Sequence, residues 1–149
     1  YQQLLGEHLV RPTQLELWKV AMRPGKPIAF ARAGATACFG LPGNPVSTWV
    51  AFELFVRPYL RARGGHVDVL RPRVSVRLTV PYRKQAGRAH LVRATIRRDG
   101  DALLASPLVN QSSGALTSMR QVDALVEVAA EVTQVDAGAA TYAWLLRAC

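Results

Sequence analysis

Two patterns of apolar and polar positions divide this chain. Up to about residue 63 the apolar runs switch between strand-like and helix-like spacing, and beyond it short alternating segments are separated by turns. Residues 4–10 read as a helix end stopped by Pro12. Residues 15–22 are apolar enough for one buried strand, although their alternation is imperfect. The run 23–27 (RPGKP) is turn chemistry, because two prolines and a glycine exclude a regular element. Residues 28–32 predict a strand. Gly34 punctuates it, and residues 36–39 complete a hairpin with Cys38 in a core strand. A helix is expected over 46–63. Its apolar stripe (Val46, Trp49, Val50, Leu54, Val56, Leu60) is as wide as that of a helix packed on a sheet. Pro58 should kink that helix or weaken its last turns.

The pattern changes at Gly64-Gly65, which predicts two units, 1–65 and 66–149. In 74–80, Val74, Val76, Leu78 and Val80 are expected inward, and Ser75, Arg77 and Thr79 outward. In the next strand, Val92, Ala94 and Ile96 share one face, and Arg93, Thr95 and Arg97 the other. Asp99-Gly100-Asp101 is a hairpin turn returning into a strand over 102–105. Residues 124–128 and 141–146 read as two more strands. Strands this short close most naturally into a small β-barrel or sandwich. The fold class is therefore α/β followed by all-β, with no pairing order fixed by the pattern.

The junction at 40–47 (GLPGNPVS) joins a strand to the long helix. Its glycines and prolines make a stiff turn whose backbone can approach a ligand closely. Asn44 suits the helix N-cap and Pro45 the first helical position. The N–H groups of Val46, Ser47 and Thr48 would then face outward at the positive end of the helix dipole, which suits an oxyanion or phosphate.

The chain has 149 residues, half of them hydrophobic, and a formal charge of +9. It begins at Tyr1 and is read as part of a longer protein. It contains no run of about 18 apolar residues, so no membrane span is expected. Residues at the start lack the pattern of a signal peptide. Its two cysteines, Cys38 and Cys149, form no disulfide framework, which fits a reducing cytoplasm. Residues 71–98 carry nine Lys or Arg and no acid. That stretch is either a solvated basic face or a surface for an anionic partner, a nucleic acid or a phosphorylated small molecule. Its single aromatic, Tyr82, speaks against a base-stacking platform.

Familiar catalytic constellations are weak. His8, His66 and His90 lie far apart and form no metal-ligand spacing; each reads as a surface or loop histidine. No Gly-x-Ser-x-Gly, Cys-x-x-Cys or phosphate-loop Gly-Lys-Ser/Thr occurs. Glu7, Glu16 and Glu53 are scattered, so no catalytic residue and no metal ligand is assigned. Two segments fit an anion site besides the 40–47 turn. Lys19, Arg23 and Lys26 flank or lie in the Pro-Gly turn, where lysine meets phosphate as a point charge and arginine as a fork. The polar loop 110–114 (NQSSG) offers amides and hydroxyls. The bland alternatives are solvated charges on a turn and a plain surface loop.

Taken in order, residues 19–27 (KVAMRPGKP), 39–47 (FGLPGNPVS) and 52–58 (FELFVRP) resemble the molybdopterin molybdotransferases, which include bacterial MoeA and the E domain of gephyrin. In the second half, 86–93 (AGRAHLVR) is similar to that family's Gly-Arg segment, and 110–113 (NQSS) to its Asn/His-Gln-x-Ser loop. The resemblance covers nearly the whole chain. It implies the C-terminal part of a molybdopterin-binding α/β domain over 1–65 and the family's small β domain over 66–149. It implies insertion of molybdenum from molybdate into adenylylated molybdopterin with release of AMP, assisted by a divalent cation such as Mg²⁺, in a cytoplasmic homodimer of the full-length protein. By resemblance Lys19, Lys26, Pro42, Pro45, Arg88 and Ser113 belong to the substrate site. Arg23, Gly43, Asn44 and Ser47 join them from the turn and helix-cap arguments.

The chain departs from the family pattern in what it lacks, beginning with the family's first two domains. It carries no Ser-Gly-Gly-x-Ser-x-Gly segment with its following Asp, nor the other acidic groups expected to hold Mg²⁺, whose ligands would lie outside it. Part of the α/β sheet is also missing, so an exposed edge or apolar patch is expected. A pterin- or anion-binding scaffold without turnover is the alternative reading, and nucleic-acid binding a third. Molybdenum and tungsten are not distinguished.

Overall fold

The computed structural model describes residues 13–114 and 116–147. The helix expected over 4–10, His8 and Cys149 lie outside them. Three strands open the fold: β1 (Thr13–Trp18), β3 (Ala29–Ala33) and β4 (Thr36–Gly40) form an antiparallel sheet in the order β1-β3-β4. The β3–β4 hairpin turns at Gly34, whose φ of 60° is the left-handed conformation a glycine tolerates. Between β1 and β3 lies the two-residue strand β2 (Met22–Arg23). The single strand expected over 15–22 is therefore two. The break is at Lys19, which takes φ 65° and donates its backbone N–H to the Ile28 carbonyl (2.9 Å). Leu17 on β1 is exposed, and Cys38 on β4 is half-buried rather than a core residue.

The helix runs from Pro45 to Arg63 in three parts: α1 (Pro45–Ala51), a π-turn (Phe52–Val56) and α2 (Arg57–Arg63). Pro58 explains the middle part. It has no N–H for the Leu54 carbonyl, so the preceding turn widens and Arg57 N–H bonds the Phe52 carbonyl, five residues back. The last turns remain intact through Arg63. Val46 and Val50 are fully buried, whereas Leu60, expected on the same stripe, is 56% exposed.

The second half is a closed five-stranded barrel. Strands β5 (Arg73–Leu78), β7 (Ala89–Asp99), β8 (Ala102–Pro107), β9 (Ala124–Val128) and β11 (Ala140–Leu145) pair in the ring β7-β8-β5-β11-β9-β7. Only β5–β8 is parallel within the ring. The β7–β8 hairpin turns at Gly100, φ 58°. A small flap pairs β6 (Tyr82–Arg83) with β10 (Gln134–Val135). Closure leaves the ring without a free edge, which suits short strands. Val76, Leu78, Val92 and Val126 fill the interior. Val80 is exposed instead of inward, because β5 ends at Leu78.

Two features join the halves. Strand β2 adds to the barrel in parallel with β7, matching Met22 with Ala89 and Arg23 with His90. A second core forms where Leu91, Leu125 and Leu146 on the outer barrel surface meet Met22, Ile28, Val50 and Ala51. Strand β7 is consequently buried on both faces over Leu91–Ala94. Arg93, expected outward, is 1% exposed. Where the three-stranded sheet meets the helix, an open apolar groove of about 400 Å³ runs beside Leu17, Phe30, Phe39, Phe55 and Tyr59. It matches the apolar patch expected of an incomplete α/β layer.

Candidate functional site

The turn 23–27 follows directly from β2, so the barrel's β7 fixes its position. Gly25 (φ 109°) lets it lie flat. A Cβ there would fall 2.3 Å from the Met22 side chain and 3.6 Å from the Ser47 carbonyl oxygen. The turn therefore presses against the start of α1. Between them opens a cavity of about 290 Å³, walled by the turn, Ser47, Arg88, Gln111 and Ser113.

Of the residues singled out in the sequence, Arg23, Lys26, Ser47, Arg88 and Ser113 come together on this cavity. Arg23 and Lys26 are exposed cations on one side, and Arg88, just before β7, faces from the other. Ser47 is buried. No carboxylate and no aromatic ring is among the lining residues. Lys19, Pro42, Gly43, Asn44 and Pro45 do not line the cavity. Gly43 is exposed, and a Cβ there would meet no protein atom within 4 Å.

Asn44 occupies the N-cap with extended backbone (φ −79°, ψ 124°), yet its side chain makes no capping bond. Its Nδ2 donates instead to Ser113 Oγ at 2.9 Å, and its Oδ1 is buried with no hydrogen-bond partner. Thr48 stabilises the turn in its place. Its hydroxyl donates to the carbonyls of Pro42 and Asn44, and its N–H opens the helix ladder on the Asn44 carbonyl (2.8 Å). The Thr48 N–H is therefore used within the helix and is not one of the outward donors.

Loop 108–114 is fastened to β7. Gln111 exchanges both amide bonds with the Arg93 backbone: Arg93 N–H donates to Gln111 Oε1 (3.1 Å), and Gln111 Nε2 donates to the carbonyls of Arg93 (2.9 Å) and Leu108 (2.8 Å). The Arg93 guanidinium donates to the carbonyls of Asn110 (3.0 Å) and Ser112 (2.9 Å) and to the Ser118 hydroxyl. Burial lowers its pKa from the ordinary arginine value. The alternation in sequence places Arg93 on the face opposite Val92, Ala94 and Ile96 and does not reveal that this face is covered. The available signal was an arginine between the apolar residues Leu91-Val92 and Ala94.

His90 is also buried, 8% exposed, contrary to a surface reading. Its Nδ1 lies 3.0 Å from the Tyr82 hydroxyl. Burial pushes its pKa down, and Arg23, Lys84 and Arg88 push it further in that direction. Burial raises that of Tyr82. The basic stretch 71–98 does not form one free stripe. Arg71 pairs with Glu53 (3.0 Å), Arg73 with Glu127 (2.7 Å) and Arg97 with Asp99 (3.7 Å), while Arg93 is buried and Arg88 faces the cavity. Among the described residues no group of three or more His, Cys, Asp or Glu converges on a point that could hold a metal ion. No helix there is long and apolar enough to cross a membrane.

Two family models match the chain. Residues 2–62 match a probable molybdopterin binding domain, and residues 75–146 the MoeA C-terminal region (domain IV). The chain is 34% identical over 140 residues to molybdopterin molybdenumtransferase 2 of Mycobacterium tuberculosis, covering 93% of this chain and 33% of that relative. It is 30% identical over 129 residues to the molybdopterin molybdenumtransferase of Bacillus subtilis, covering 87% and 30%. A crystal structure of the molybdopterin biosynthesis moeA protein from Pyrococcus horikosii superposes with a TM-score of 0.75 at 28% identity, over 96% of this chain and 34% of that one. A molybdenum cofactor biosynthesis protein from Pyrococcus furiosus gives 0.74 at 28% identity, over 89% and 46%. The chain thus spans about a third of the length of these curated relatives. With both regions matched in order and the α/β-plus-barrel fold shared, the chain belongs to the MoeA family of molybdenum cofactor biosynthesis proteins.

Proposed function

We propose that this chain carries the substrate-binding region of a molybdopterin molybdenumtransferase, which inserts molybdenum from molybdate into adenylylated molybdopterin and releases AMP. One observation supports it most: three cations and two serine hydroxyls line one cavity that has no carboxylate on its walls. Such a lining suits a phosphate group or molybdate, because each cation gains a charge-assisted bond and nothing repels the anion. Arg23 and Lys26 would hold the anion from the turn side and Arg88 from the barrel side. Ser47 and Ser113 would orient its oxygens.

In this reading residues 1–65 and 66–149 are two units of a longer cytoplasmic homodimeric protein. Lys19, Pro42, Gly43, Asn44 and Pro45 stay in the proposed substrate site as residues flanking this cavity rather than lining it. The residues here do not fit a Mg²⁺ site, since the cavity offers no carboxylate and no acidic cluster converges among the described residues. The same lack of a carboxylate favours a second reading, a pterin-binding module without turnover of its own.

The test is AMP release by the full-length protein given adenylylated molybdopterin and molybdate. Release that falls with Lys26→Ala supports the transferase reading. Absence of release, with Lys26→Ala behaving as the parent, overturns it. Calorimetric binding of the pterin without release selects the module instead.

A further inference from the structure

We propose that Arg93 is a positioning residue for the cavity just described: its buried guanidinium presets loop 110–113 so that Gln111 and Ser113 form the barrel-side wall. The inference rests on the anion-site reading for its consequence and on Arg93 itself for its mechanism.

A guanidinium that is 1% exposed is costly, because its charge is taken out of water. Its hydrogen bonds go to two backbone carbonyls and one hydroxyl, with no carboxylate among them, and its Nε is buried without a partner. An apolar side chain of similar volume would serve a core as well or better. What the arginine adds is direction. One nitrogen, Nη2, donates to the carbonyls of both Asn110 and Ser112, the residues on either side of Gln111, while Nη1 reaches the Ser118 hydroxyl. The Gln111 side chain then meets the Arg93 backbone as a strand residue would. With both neighbours and its own amide fixed on β7, Gln111 lines the cavity from a held position. Ser113, the next residue after Ser112, comes within 2.9 Å of Asn44 across the junction of the two halves. Asn44 leaves its own helix N-terminus uncapped to make that contact. Arg93 therefore acts on the ligand only through residues 110–113.

The experiment uses the full-length protein with Arg93→Met, Arg93→Lys and Gln111→Ala. Met keeps the apolar volume, Lys keeps the charge without the fork, and Gln111→Ala loosens the same loop from its other side. Amide hydrogen exchange is read without ligand, and molybdate binding by calorimetry. Amides of 110–114 should exchange at least about tenfold faster in each variant, while those of β5 and β8 stay protected. Molybdate affinity should fall about tenfold, and adding Ser113→Ala to Arg93→Met should cost nothing more, because the wall is already lost. Unchanged exchange at 110–114 overturns the proposal, as do additive losses from Arg93→Met and Ser113→Ala. If the parent binds no molybdate, the anion-site reading fails, while the exchange comparison still decides the role of Arg93.

Discussion

The side-chain amide of Asn44 donates to the hydroxyl of Ser113 at 2.9 Å, joining positions 69 residues apart. One lies at the start of the long helix and the other on a loop of the barrel, so this bond spans the two halves beside the cavity. Its net worth should be near that of an ordinary partly buried hydrogen bond, about 1 kcal/mol. Asn44→Ala and Ser113→Ala should therefore be non-additive, with a coupling of about 1 kcal/mol in urea unfolding. Purely additive losses would mean that the contact contributes nothing.

The cations of the cavity belong to different segments, and each should count. Lys26→Ala and Arg88→Ala are expected to weaken molybdate binding by about 1.5 kcal/mol each, roughly tenfold, if each makes one charge-assisted bond. Titration at two ionic strengths checks the cause, since both the parent affinity and the mutational loss should shrink as salt rises.

His90 sets a pH dependence. Its folded pKa lies below the ordinary value because the ring is buried and faces Arg23, Lys84 and Arg88. The unfolded chain therefore binds the proton more readily. Stability is complete above the unfolded value of about 6.5 and is lost as pH falls through the lower folded value. Urea midpoints measured at pH 7.5 and pH 5 should differ more for the parent than for His90→Gln, which keeps an acceptor for Tyr82 but cannot charge.

Leu125 is fully buried between the outer barrel surface and the helix. Leu125→Ala should cost about 2–5 kcal/mol, with a reduced thermal midpoint as the readout. Because both halves contribute to this core, they should lose structure in one transition. Two separate transitions would contradict the shared core.

Glu53 sits in the π-turn, buried, with Arg71 at 3.0 Å and Arg57 at 3.8 Å. Glu53→Gln leaves two guanidinium groups facing each other without their anion. A loss of about 1–3 kcal/mol is expected, discounted because Arg71 is partly exposed. Denaturant unfolding of Glu53→Gln, alone and combined with Arg71→Met, checks it: the second change should restore part of the loss.

Much of the fold follows from local pattern. The β3–β4 and β7–β8 hairpins lie where Gly34 and Gly100 place turns, and β9 and β11 where alternating runs occur. Pro58 marked the irregularity of the helix, although its effect is a widened turn rather than a weakened end. The misread positions share a cause. Arg93 and His90 lie on β7, whose residues are covered on both faces, so a two-face alternation could not say which polar side chains are buried. Asn44 fitted a local cap, but a distant serine competes for its amide.

Local pattern was enough for the Gly and Pro turns, for most strand and helix segments and for the motifs that carry the family resemblance, because these depend on neighbours within a few positions. Tertiary structure alone decided three things: the ring order of the barrel, the meeting of the 23–27 turn with Arg88 and Ser113, and the burial of Arg93 behind its loop. Each depends on contacts between residues far apart in the chain, from 17 positions for Arg93 and Asn110 to 69 for Asn44 and Ser113. Their energies come largely from burying apolar surface, Val76 and Val92 inside the barrel and Met22 and Val50 against Leu91 and Leu125 outside it, which no local spacing encodes.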